Sequence, residues 1–150
     1  MEAVPVVFDD SYKFEIGKGV VLEEGTDVTI IATGLMVDSA IKACELLKND
    51  GISARIVNMA TIKPLDTELV LDSAAKTGAI VTAEEHSIIG GLGSAVAEAV
   101  CENGVGVPVV RVGVEDVFGM SGPALQLLDY YKLNAEGIAE KAKRAISLKK

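Results

Sequence analysis

The sequence has no tryptophan, a single histidine and only two cysteines, and aromatic residues make up just 4% of it. Cations are scarce as well: 14 lysines and arginines face 22 acidic residues, for a formal net charge of -8. Binding a phosphate backbone takes clustered cations, and gripping single strands takes stacking aromatics, so nucleic acid is not an expected partner. No apolar run approaches the roughly 20 residues of a bilayer-spanning helix. The stretches 28–32 and 105–114 read instead as buried strands, and no membrane partner is expected despite a mean hydropathy of +0.37. The first residues, Met1-Glu2-Ala3-Val4-Pro5, have neither the basic nor the apolar region of a secretory leader, which makes the cytoplasm the expected compartment.

Several chemistries lack their residues. Cys44 and Cys101 are far apart in segments of helical pattern and are expected as reduced core thiols rather than a bridge. With His86 as the only imidazole and no paired cysteines, no metal site is expected. The acidic groups Asp9-Asp10 and Glu23-Glu24 with Asp27 lack the ligand spacing of a calcium loop and read as solvated surface. The glycine-lysine loop of nucleotide triphosphatases is missing. Gly119-Met120-Ser121-Gly122 breaks the nucleophile-elbow pattern.

What is present is a chain of 150 residues, 49% of them hydrophobic, enough for one well-filled core. Tyr12, Phe14 and Ile16 alternate with Lys13 and Glu15, which predicts a half-exposed strand before the turn at Gly17-Lys18-Gly19. From residue 28 the pattern changes to continuous β-branched runs separated by amphipathic helices, as in a parallel sheet covered on both faces. The expected elements are strand 28–33, helix 37–48, strand 53–58, helix 67–76, strand 79–83, helix 94–102 and strand 107–112. Two closing helices follow, the first opened by Ser121 and Pro123 and the second capped by Asn134. In the first helix Val37, Ala40, Ile41, Cys44 and Leu47 share the face expected to pack on the sheet.

The candidate site residues are Glu85, His86, Gly90, Gly91, Gly93 and Ser94, around a glycine-rich turn that follows one strand and opens the next helix. The turn is only superficially like a dinucleotide loop. If Gly91 and Gly93 are its first two glycines, Val96 stands at the third, although Glu115 and Asp116 do lie about 20 residues on, where a ribose-binding acid belongs. Two roles fit: an anion site made by exposed amides at the helix start, or an interface built around Glu84, Glu85 and His86 at the strand end.

Four segments carry a more specific resemblance: Phe14-Glu15-Ile16-Gly17-Lys18-Gly19 with the run 24–34, Thr61-Ile62-Lys63-Pro64-Leu65-Asp66, Glu84-Glu85-His86 with Gly90-Gly91-Leu92-Gly93-Ser94-Ala95-Val96, and Asp116-Val117-Phe118-Gly119-Met120-Ser121-Gly122-Pro123. In this order and spacing the chain resembles the C-terminal domain of the thiamine-diphosphate-dependent transketolases, especially the form split between two polypeptides. The resemblance implies a three-layer α/β/α domain with a mixed five-stranded sheet, mostly parallel with one antiparallel strand. Residues 1–150 would form one domain, with 1–21 as an entry segment from an upstream domain.

The resemblance also implies a parent enzyme that moves a two-carbon ketol unit between sugar phosphates. Its thiamine diphosphate and Mg²⁺ would be held by upstream pyrophosphate- and pyrimidine-binding domains, and none by this chain, in which Gly-Asp-Gly does not occur. No catalytic residue of the family falls on this chain. The implied role is structural, packing on the upstream domains and supporting a homodimer. The alternatives are a small-molecule regulatory module at the glycine-rich turn, or the equivalent domain of a deoxyxylulose phosphate synthase or of a 2-oxo acid dehydrogenase beta subunit.

Overall fold

A computed structural model describes residues 5–150 of the chain. The elements run β1 (Val20–Glu23), β2 (Val28–Ala32), α1 (Met36–Asn49), β3 (Ala54–Asn58), α2 (Thr67–Thr77), β4 (Ile80–Ser87), α3 (Leu92–Glu102), β5 (Val109–Val114), α4 (Ala124–Tyr130) and α5 (Ala135–Ser147). The sheet order is β1-β3-β2-β4-β5, and β1 against β3 is the antiparallel pair of an otherwise parallel sheet. Helices α1 and α5 pack together over one face and α2 with α3 over the other. This is the expected three-layer architecture.

Every residue of β2 and β3 is buried, because central strands covered on both faces have no solvent side. Ile30 on one face shares a core with Val37, Ala40 and Ile138, and Ile31 on the other shares one with Val70, Leu92 and Val96. Helix ends follow local chemistry. Asp66 Oδ1 accepts the amide of Leu69 at the start of α2, and Gly78, at φ 67°, closes it in the left-handed region. Asn134 Oδ1 accepts the amide of Gly137 at 3.0 Å, as expected for the cap of α5.

Other expectations need correction. Residues 12–16 form no strand: Phe14 and Ile16 are exposed and Tyr12 stacks on Phe8. The strand that pairs with the outer side of β3 is Val20–Glu23, a few residues further on. The amides of Gly17 and Gly19 are tied instead to Thr61 Oγ1 and Asp66 Oδ2. Of the entry segment 1–21, residues 1–4 lie outside the described residues. Cys44 is buried, but Cys101 is exposed, on the face of α3 away from Val96, Ala99 and Val100. Asp9 and Asp10 are exposed, as expected, but the second acidic group is also paired: Glu23 meets Lys48, Glu24 meets Arg55, and Asp27 accepts the amide of Ser53. Among the described residues no helix is long and apolar enough to cross a membrane.

Candidate functional site

Strand β4 runs past its expected end at residue 83, so Glu84, Glu85 and His86 are strand residues rather than a loop. The extension follows from register. β4 stays paired with β5 as far as Ser87 opposite Val114, across an irregularity after Ala83. Helix α3 likewise starts earlier than expected, at Leu92, with Gly91 as its cap residue.

The first turn of a helix leaves unpaired amides that need an acceptor. Here Glu84 supplies it. Its carboxylate, fully buried, accepts the amide of Leu92 at Oε2 and that of Gly93 at Oε1, both at 2.9 Å. A negative group at this end also opposes the helix dipole favourably. Gly91 makes room for it, since a Cβ there would lie 1.9 Å from Glu84 Oε2, and Gly93 makes room for its neighbours, since a Cβ there would meet the Arg111 side chain at 2.7 Å and Thr82 Oγ1 at 2.8 Å.

The turn itself is held from several sides. The carbonyl of Ile88 accepts from Arg111 Nη1 at 2.8 Å and from Ser94 Oγ at 3.2 Å, while Ser94 Oγ takes the amide of Gly90 at 2.8 Å. Gly90 turns the chain at φ 78°, a conformation that a side chain would strain. From this braced base His86, Ser87 and Ile89 face solvent, Ile89 with 61% of its surface exposed.

Of the expected site residues, Gly90, Gly91, Gly93 and Ser94 are thus brought together around the turn, but Glu85 and His86 are not joined to each other. Glu85 leans toward the loop before α1, where its Oε1 lies 2.9 Å from the position of a Cβ on Gly34; its Oε2 is buried without a hydrogen-bond partner. Glu84 and Glu85 thus serve different neighbours, the start of α3 and the loop before α1. The anion at the start of α3 is the chain's own carboxylate, so the two amides an external anion would seek are already taken. Sequence reasoning did not single out Glu84 or Arg111 for this work. The available signal was an acid eight residues ahead of a Gly-Leu-Gly helix start.

Residues 17–138 match the family described as transketolase, C-terminal domain. The chain belongs to that family. It is 53% identical over 133 residues to a protein of Methanocaldococcus jannaschii named as a transketolase C-terminal section, covering 89% of this chain and 41% of that one. It is 44% identical over 132 residues to a 1-deoxy-D-xylulose-5-phosphate synthase of Gloeobacter violaceus, covering 88% of this chain and 21% of the synthase. A solved split-gene transketolase, described as an inactive beta4 tetramer, superposes with a TM-score of 0.93 at 52% identity, over 98% of this chain and 48% of that one. The chain thus spans less than half the length of these relatives.

Transketolases as a family use thiamine diphosphate, but this C-terminal domain offers its diphosphate no fit at the glycine-rich turn. The carboxylate of Glu84 stands where an anion would need donors. Nor does any group of three His, Cys, Asp or Glu side chains among the described residues come together to hold a metal ion.

Proposed function

We propose that this domain serves a cytoplasmic transketolase that passes a two-carbon ketol unit between sugar phosphates, and that its part is to hold the catalytic domains in register. It packs on upstream pyrophosphate- and pyrimidine-binding domains, which bind thiamine diphosphate and Mg²⁺, and it supports a homodimer of the complete enzyme. The observation that carries this reading is the turn at 86–91. Its helix amides are consumed internally by Glu84, its backbone is pinned by Arg111 and Ser94, and what it presents outward is the apolar Ile89 beside His86. A rigid knob with an apolar tip suits contact between domains better than capture of a soluble anion.

The test is a ketol-transfer assay of this chain with and without the upstream polypeptide, in thiamine diphosphate and Mg²⁺. Activity is expected only in the mixture, and Ile89→Asp is expected to weaken the restored activity by raising the concentration of this chain needed for it. Transfer by this chain alone, or none in a mixture where both chains are folded and bound, refutes the reading. A second reading rests on the 44% identity to 1-deoxy-D-xylulose-5-phosphate synthase. It predicts formation of that sugar phosphate, and no ketol transfer, in the same mixture.

A further inference from the structure

We propose that the carboxyl ends of β2 and β3 form a binding site for a small, uncharged ring compound that carries an amide, roofed by the aromatic residues of the segment before β1. The inference goes beyond the proposed function and holds whichever enzyme the domain serves.

The chain leaves β2 for α1 on one face of the sheet and leaves β3 for α2 on the other, so the two outgoing loops part and open a crevice at the strand ends. Open α/β sheets bind ligands in such crevices. Residues 5–14, which form no strand, lie across it. A turn in which the Tyr12 amide donates to the Asp9 carbonyl at 3.1 Å folds Tyr12 back onto Phe8, with ring centroids 4.0 Å apart. Phe8, Tyr12 and Phe14 line a cavity of about 410 Å³ together with Gly34, Val37 and Asn58. That is room for a single-ring molecule.

Asn58 decides what the cavity takes. Alternation along β3 turns it to the α1 face with Ala54 and Ile56, which belong to the core there, yet Asn58 is polar and only 6% exposed. Its carboxamide is hydrogen-bonded to no described residue, and a buried polar group without a partner is a cost that packing does not explain. The carboxamide offers an acceptor oxygen and a donor NH₂ side by side. An anion would leave the oxygen unpaired and a cation the NH₂, whereas another amide pairs with both. Charge gives the same answer. The Glu85 carboxylate stands behind Gly34, 2.9 Å from where a Cβ would lie, and exposed Asp9 and Asp10 flank the roof, so an anion meets repulsion. The aromatic rings favour a flat apolar body.

Backbone-amide NMR of the full chain tests the site, by titration with benzamide, benzoate and benzamidine to about 10 mM, the range in which single-ring fragments bind. The three probes share a ring and differ in head group: neutral amide, anion and cation. Benzamide is expected to shift residues 7–14, 33–37 and 58–60 saturably and to bind about 10-fold or more tightly than the other two, as for one hydrogen bond left unmade. Asn58→Leu removes no hydrogen bond within the chain, so it is expected to stay folded and to weaken benzamide by about 10-fold or more. Phe14→Ser alters only an exposed residue of the roof; it is expected to weaken benzamide too, and carries the test if Asn58→Leu does not fold. No saturable shift, equal binding of the three probes, or either folded variant binding like wild type overturns the proposal. So does expulsion of benzamide by the upstream polypeptide, which would make Asn58 an interdomain contact instead. Ketol transfer is read separately, and its absence from the mixture leaves this site standing.

Discussion

Replacing Glu84 isolates the interaction on which the glycine-rich turn depends. Glu84→Gln keeps the volume but turns one acceptor into a donor, so one of the two buried amides at 2.9 Å loses its partner and faces another N–H. An unsatisfied buried donor costs about 1–3 kcal/mol, which puts Glu84→Gln at about 2 kcal/mol and Glu84→Ala, with both amides orphaned, at about 4 kcal/mol. Against a domain stability of about 5–15 kcal/mol these losses are large. In urea unfolding followed by circular dichroism, a slope of about 2 kcal/mol/M converts them to midpoint shifts of about 1 and 2 M.

Gly91→Ala supplies the cross-check. The backbone of Gly91, at φ -97° and ψ -152°, is open to alanine, so the obstacle is the carboxylate 1.9 Å from the new methyl group. Alanine here is expected to destabilise the wild type by about 2 kcal/mol but to cost little in the Glu84→Ala background, a coupling within the range for residues in contact. Additive effects, or a Glu84→Gln variant as stable as wild type, refute the account of the turn.

Three further outcomes follow from the same structure. Arg55 is buried between Glu24 at 2.8 Å and Asp72 at 2.9 Å, whose carboxylates are largely hydrated; Arg55→Met is expected to change stability by under about 1.5 kcal/mol, while removing both acids strands a buried guanidinium and costs about 3–5 kcal/mol in the same unfolding assay. The hydrogen bond from Lys76, with Arg55 nearby, holds Asp72 below its ordinary 3.8. Its contribution to stability is therefore complete above that value and lost as pH falls through the lower folded value, so urea midpoints measured between about pH 5 and pH 2 should fall less steeply in Asp72→Asn. Burial, with help from Glu23, pushes the Cys44 thiol up to about 11, whereas Cys101 is exposed. A disulfide reagent at neutral pH should titrate one thiol in the native chain and the second only after unfolding, and two fast thiols would contradict the placement of Cys44.

The parallel part of the fold was legible because its signals are local. The β-branched run at 28–32 can be buried on both sides only inside a sheet, and Asn134 marks the start of α5 by a side-chain oxygen placed to accept one of its first amides. Failures arose where a distant partner decides. The alternation at Tyr12, Phe14 and Ile16 is the right pattern for a strand, yet a strand needs a partner, and nothing in those residues reports that β3 pairs with 20–23 instead. The turn shows the same limit. Its glycines were visible, but the reason for Gly91 is a carboxylate that reaches it only because β4 continues to residue 87. Glu84 and Glu85 are adjacent and alike in type; one serves α3 and the other lies beside Gly34, a difference that belongs to the packed strand. Phe118 was read as part of a family motif, and nothing in that motif reports that its side chain is fully exposed in the packed domain.

The carboxylate bond from β4 to α3 also has a mechanical meaning. A loop closed only by its own backbone would yield when pressed at its tip, but here the tip stands on a bracket whose arms are a central strand and a helix, riveted at Glu84 and stayed by Arg111. A load applied at Ile89 therefore passes into the middle of the sheet rather than being spent in bending the turn.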